Sequence, residues 1–262
     1  MATQAEKGRA FAALHEGEPF LIPNPWDTGS ARVLEALGFP ALATTSSGLA
    51  FTLGRLDGGV TLDEIVEHVA ALAEATSLPV SVDLEDGLGD APLAVRRVAE
   101  AGAVGGSIED FERAGSLLPR DEAVERVAAA VEAARSLGFP FMLTARAENH
   151  IRGNPDLDDT IARLQAYEEA GADVLYAPSL RTVDEIRAVC GAVGKSVNVL
   201  GLPGLTVAEI FGAGAQRISV GGGLTWVAMN AFVDAATSIR DSGDLSVLAG
   251  CSPVLGDALR QR

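Results

Sequence analysis

A chain of 262 residues is long for one ordinary domain, yet it falls where α/β barrels run as a single unit. Its 48% apolar content, 29 glycines and 5% aromatics suit a large aliphatic core joined by many tight turns. A formal charge of −16 without any Lys/Arg block argues against a phosphate-backbone partner. No run approaches the ~18 uncharged apolar residues of a bilayer span, and the opening MATQAEKGRAFAALHEGEPF lacks a leader's apolar stretch, so a cytoplasmic protein without membrane or nucleic-acid partners is expected.

In chain order, strand-like runs fall at 20–24, 40–46, 79–85, 104–110, 140–148, 173–179, 196–202 and 217–223. Between them lie amphipathic stretches rich in Ala, Glu and Arg. These end at glycine stops such as Leu37-Gly38-Phe39-Pro40, Ala101-Gly102-Ala103 and Ala170-Gly171-Ala172, or at Ser77-Leu78-Pro79. Eight such units predict one (β/α)₈ TIM barrel over 1–262 rather than an open doubly wound sheet. PALATT and VNVLGL are apolar or small at nearly every position, as expected of strands covered on both faces. Residues 241–262 lose the periodicity and read as a C-terminal extension, a short helix or an arm. Cys190 and Cys251 lack CxxC spacing and read as small buried hydrophobes of a reducing compartment.

Barrel enzymes gather their chemistry at the C-terminal ends of the strands. There the third run ends Val82-Asp83-Leu84-Glu85, and alternation places Asp83 and Glu85 on one face. The fourth run brings Glu109, and the fifth brings Arg146 and Glu148 on a shared face. Several inward carboxylates with one arginine repel one another unless a cation intervenes. An all-oxygen donor set favours a hard ion, Mg²⁺ with Mn²⁺ as the alternative. Ion pairing with Arg146 or simple solvation is the competing explanation. Thr44-Thr45-Ser46-Ser47-Gly48-Leu49, followed by Gly54-Arg55-Leu56-Asp57-Gly58, offers hydroxyls and amides suited to a substrate carboxylate. The Gly221-Gly222-Gly223 run fits either a phosphate cradle or a close-packed rim. His15 and His68 are expected to be exposed, and His150 to line the mouth.

PNPWDTGSARVLEALGFPALATTSSGLA, VDLEDGLGD, GGSIED, TARAEN and AGAQRISVGGG together resemble the isocitrate lyase/phosphoenolpyruvate mutase superfamily, over roughly residues 20 to 235. The resemblance implies a barrel that exchanges its eighth helix between subunits, a homotetramer built as a dimer of dimers, and Mg²⁺ chemistry on 2-oxo acids. It implies Asp83 as direct metal ligand, with Glu85 and Glu109 acting through water and Asp57 as a further acid. It implies that Ser47, Gly48 and Leu49 hold the substrate carboxylate and that Arg146 binds the departing half with Glu148 beside it; Thr45, in the same connection, and His150, two residues beyond Glu148, are expected from their positions to reach substrate too. The stretch after Asp110, Phe111-Glu112-Arg113-Ala114-Gly115-Ser116-Leu117-Leu118-Pro119, has neither the cysteine and lysine of isocitrate and methylisocitrate lyases nor the Lys, Thr and Asn of the mutases. The expected activity is therefore an Mg²⁺-dependent lyase for a small 2-oxo acid or 2-hydroxy diacid, working through an enolate. Phosphonopyruvate hydrolysis or rearrangement, and a non-catalytic keto-acid-binding barrel, are the alternatives.

Overall fold

The structure is a computed structural model and describes residues 2–250 and 252–260; the burial expected of Cys251 falls outside these residues. Eight strands form a parallel sheet: β1 (Phe20–Ile22), β2 (Leu42–Ala43), β3 (Val80–Asp83), β4 (Gly105–Glu109), β5 (Met142–Arg146), β6 (Val174–Tyr176), β7 (Ser196–Leu200) and β8 (Arg217–Ser219). From β2 to β8 each pairs with the next in sequence, and β1 pairs with β8. Between β1 and β2 the Ala43 amide donates to the Pro23 carbonyl at 3.1 Å, which nearly completes the barrel.

The helices are α1 (Gln4–Leu14), α2 (Thr28–Ala36), α3 (Ser46–Thr52), α4 (Leu62–Ala75), α5 (Ala91–Glu100), α6 (Arg120–Arg135), α7 (Leu157–Glu169), α8 (Val183–Ala192), α9 (Val207–Gly212), α10 (Gly223–Ser242) and α11 (Pro253–Arg260). Threonine caps with a Glu three residues on begin α4, α8 and α9 in reciprocal boxes, satisfying N–H groups the first turn would otherwise leave open.

Alternation along the strands sorts the residues. Val82, Ile108, Leu143, Ala145, Leu175, Val197, Val199 and Ile218 face outward, buried in the two main clusters with the helices. Each large aliphatic side chain so buried is worth about 1.5–3 kcal/mol. The opposite parity carries Ser81, Asp83, Ser107, Glu109, Thr144, Arg146, Tyr176, Asn198, Arg217 and Ser219. The interior is thus polar, where sequence runs such as VNVLGL suggested apolar filling. A single Asn or Arg among branched residues is what alternation hides.

Helix α1 closes the bottom of the barrel. Phe11 is fully buried, and a Cβ at Gly105 would lie 2.7 Å from its ring, so β4 needs glycine there. The Gln4, Lys7 and Gln216 side chains tie α1 to carbonyls at the bottom loops. One turn beyond Phe11, His15 is 8% exposed between the Phe11 and Phe20 rings, which corrects the expectation that it is exposed. His68 is half-buried. The helix that follows β8, α10, buries only Thr225 and leaves Val227, Phe232 and Val233 more than half exposed. The C-terminal stretch holds a 3₁₀ turn and α11, which packs on α2, so the extension contains the helix that was one of its two expected forms. Among the described residues no helix is long and apolar enough to cross a membrane.

Candidate active site at the C-terminal mouth

Strand register assembles the site. Glu109 of β4 stands opposite Arg146 of β5, and Arg146 opposite Tyr176 of β6. Arg146 reaches Asp83 Oδ1 at 2.9 Å, Glu109 Oε2 at 2.9 Å and Glu148 Oε1 at 2.7 Å, and its guanidinium carbon lies 5.3 Å from the Tyr176 ring centroid. Three carboxylates from neighbouring strand ends therefore share one buried cation. Each pins the guanidinium above its ordinary pKa, against the burial that would lower it. Glu109 is held well above the usual carboxylate range, chiefly by burial and further by Glu148 and Asp83.

Glu85 does not follow the alternation expected of it. Strand β3 ends at Asp83, and the chain turns through Leu84–Gly87 with Glu85 at φ 48°, a left-handed conformation uncommon outside glycine. Glu85 instead meets Arg113 at 3.0 Å, and burial raises its pKa to about 6. Its other oxygen, Oε1, is buried without a partner. Arg113 belongs to the short hairpin after β4, closed by pairing of Phe111 with Leu117, and also donates to the Val60 carbonyl at 2.7 Å.

Two adjoining cavities result. The first, about 160 Å³, runs from Ser46, Ser47 and Asp83 down to Asn198 and Arg217. The second, about 220 Å³, holds Glu85, Glu109, Arg113 and Arg152. Arg146, Ser46 and the exposed Asp57 border both.

Asp83, Glu85 and Glu109 are thus neighbours divided between two chambers. Among the described residues no three acidic, His or Cys side chains are arranged to hold a metal. The Glu85 oxygen nevertheless lacks a partner, and burial with the neighbouring acids that hold Glu109 above its ordinary range would be offset by added positive charge. That fits a hard divalent ion carrying most of its shell as water and taking one or two carboxylates directly.

Thr45 caps α3 with its hydroxyl near the Gly48 amide and 3.1 Å from Ser47 Oγ. The Ser46 amide donates to Asp83 at 3.3 Å. Gly48 is required by space, since a Cβ would lie 2.6 Å from Thr45 Cγ2 and 2.9 Å from Trp26 Cβ. Leu49 is buried in the core, and its amide bonds the Thr45 carbonyl, so it has turned away from the mouth. The glycine rim is close-packed: a Cβ at Gly222 would sit 2.5 Å from Ser47 Oγ. Glu148 is fully buried behind Arg146, its amide held by Asp110, and it borders neither cavity. His150 is turned to Glu185 at 3.7 Å, beside the N-terminus of α8, and lines a separate pocket rather than either of these cavities.

Residues 11–240 match the family model described as Phosphoenolpyruvate phosphomutase. The chain belongs to that family. It thereby lies in the isocitrate lyase/phosphoenolpyruvate mutase superfamily, whose members are enzymes, lyases and mutases among them. A Burkholderia cenocepacia J2315 structure provisionally assigned as a lyase/mutase is 50% identical, with a TM-score of 0.93 over 98% of this chain and 97% of that one. An uncharacterized Mycobacterium tuberculosis protein is 35% identical over 88% of each chain. An oxaloacetate decarboxylase of Rhodopseudomonas palustris (strain BisB5) is 31% identical over 95% of this chain and 90% of its own.

In this phosphomutase-family barrel several site residues had escaped the sequence reading. Arg152 binds Glu148 at 3.0 Å and Glu109 at 3.3 Å while stacking 4.0 Å over Phe111. Asp110 takes Arg163 at 3.0 Å and the Tyr167 hydroxyl at 2.5 Å, and so fixes the backbone that carries Glu148. Tyr176, Asn198 and Arg217 had one visible signal: polar groups inside strand runs.

Proposed function

We propose that the protein is a lyase for a small 2-oxo acid or 2-hydroxy diacid, with decarboxylation of the oxaloacetate type as its leading reaction. The observation that carries the reading is the crowding of acids from successive strand ends around Arg146 at the edge of the cavity in the barrel mouth. The near-full-length likeness to an oxaloacetate decarboxylase supports the choice of reaction. Mg²⁺, or Mn²⁺ in its place, would be held by Asp83 with Glu85 and Glu109 completing the charge. When bound it supplies electrostatic stabilisation of the negative charge that builds on the 2-oxo oxygen.

The chain's own residues supply the rest. Ser47 and the amides opening α3 orient a substrate carboxylate at the mouth. Arg146 holds Asp83 and Glu109 together, and Glu148 with Arg152 holds Arg146 in place, so both are positioning residues. Ile151, Pro178 and Leu200 supply the apolar part of the cavity wall.

The test is pyruvate release from oxaloacetate and related diacids with added Mg²⁺. Wild type should turn over, and Asp83→Ala should lose at least ~100-fold, comparable to removal of one preorganised electrostatic group. Equal rates would remove the proposal. The family's own description favours one second reading, phosphonate chemistry. Phosphorus-31 NMR of phosphonopyruvate with the protein decides it.

A further inference from the structure

Two cations line the cavity of the barrel mouth, Arg146 and Arg217, and they differ in one respect. Arg146 is saturated by three carboxylates. Arg217, the first residue of β8, has only neutral partners: Asn198 Oδ1 at 2.8 Å, Thr144 Oγ1 at 3.1 Å and His15 Nε2 at 3.2 Å. These take three of the five N–H groups of a guanidinium. The His15 ring presents Nε2 as acceptor because its Nδ1–H faces the Phe11 carbonyl at 2.8 Å. Arg217 is itself 5% exposed, and among the described residues no acid is paired with it.

Burying an arginine without a counter-ion is costly, and the penalty is relieved when an anion arrives. The neutral cradle holds the fork rigid without discharging it. Hydroxyl and amide groups of Asn198, Ser219 and Ser107 surround the same floor, so an incoming carboxylate finds further polar partners there. The acids stand at the other end, around Arg146. A monocarboxylate seated at Ser46 and Ser47 would leave the floor cation unmatched, whereas a diacid carries a second carboxylate to offer it.

We propose that Arg217 is the specificity residue for a second carboxylate, which makes the cavity selective for dicarboxylic over monocarboxylic acids. The inference deepens the lyase reading and rests on it. It assigns anion capture to the floor of the barrel, and to Arg146 the different task of gathering the acids.

Succinate and butyrate test it, because they differ only by a carboxylate in place of a methyl group and neither can be turned over. Calorimetric titration of the full chain with Mg²⁺ present should show succinate binding at least tenfold tighter than butyrate. Arg217→Met, which keeps the length and apolar stem, should bring the preference below threefold, and Arg217→Lys, which keeps the charge, should hold it between the two. A wild type without preference for succinate overturns the inference whether or not any variant folds; so does an Arg217→Met protein that keeps the full preference. If wild type releases pyruvate from oxaloacetate but shows either of those results, this inference alone falls. A wild type that binds neither acid and turns over no diacid sinks both.

Discussion

Replacing Arg146 by Met removes the one cation shared by Asp83, Glu109 and Glu148 while keeping most of the side-chain volume. Arg146 is 13% exposed in its side chain, Glu109 is 7% and Glu148 is 0%, so solvent cannot substitute for the lost partner. Breaking a buried pair from one side costs about 3–5 kcal/mol, because the remaining charge stays buried. For 262 residues the unfolding entropy is roughly 0.5 kcal/mol per kelvin, so the metal-free melting temperature should fall by about 6–9 °C. The deficit should also depend on pH. Glu109 already has a folded pKa above its unfolded one, so its contribution is fully present at acid pH and fades as pH rises through the folded value. Without Arg146 that folded value climbs further, and the deficit should be larger near pH 8 than near pH 5. Calorimetric melts at both pH values, in chelator, provide the measurement. A deficit under about 1 kcal/mol, or one equal at the two pH values, would refute the claim that Arg146 neutralises the cluster.

Acid should destabilise the protein through its bottom as well. His15 is buried with its pKa lowered to about 3, first by desolvation and then by Arg217, so stability present above the unfolded pKa of about 6.5 is lost as pH falls below it. By about pH 5 this loss is roughly 2 kcal/mol, and His15→Gln should flatten that part of the melting curve; His68, lowered to about 4, keeps the remainder. If the slope is unchanged in the variant, His15 does not titrate as argued. Helix α10 leaves Val227, Phe232 and Val233 exposed, a face that the expected helix exchange between subunits would cover. Light scattering should give an oligomer for wild type and a smaller species for Phe232→Glu/Val233→Glu, and a monomeric wild type would end that expectation.

What could be read from the sequence was periodic. All eight expected runs contain the observed strands, and before β2, β4, β6 and β8 the stop is a glycine at positive φ, as in Ala101-Gly102-Ala103, which ends the helix and frees the apolar run behind it. The acids at the ends of β3 and β4 were legible for the same reason, since parity within a strand is rigid. Parity fails where the strand stops. Glu85 lies two residues past Asp83, but the left-handed turn between Leu84 and Gly87 redirects it toward Arg113, and nothing in Asp-Leu-Glu-Asp-Gly announces where the ladder ends. Leu49 escaped in the opposite sense: a helix starting at Ser46 turns its fourth residue into the core. His15 was misread because helical spacing marks a face but not what the face meets. The end of a barrel that it covers is assembled from residues nearly two hundred positions away.

Crowded acids at the strand ends require positive charge, and the chain meets that need partly with its own arginines. Asp83, Glu85, Glu109 and Glu148 are met by Arg113, Arg146 and Arg152, while Arg217 stands on the floor of the same mouth with neutral partners only. With all of them ionised, the four acids and four arginines of the mouth cancel. A divalent ion entering alone then brings two unbalanced positive charges into a poorly hydrated cavity, and a diacid entering alone brings two negative ones. Together they restore neutrality, so each should bind more tightly in the presence of the other, by a reciprocal factor. Coupling of this kind is typically worth 5–150-fold. Titrating succinate with and without Mg²⁺, and Mg²⁺ with and without succinate, closes the cycle. Independent binding of the two would mean that the acids and arginines of this mouth do not act as one balanced set.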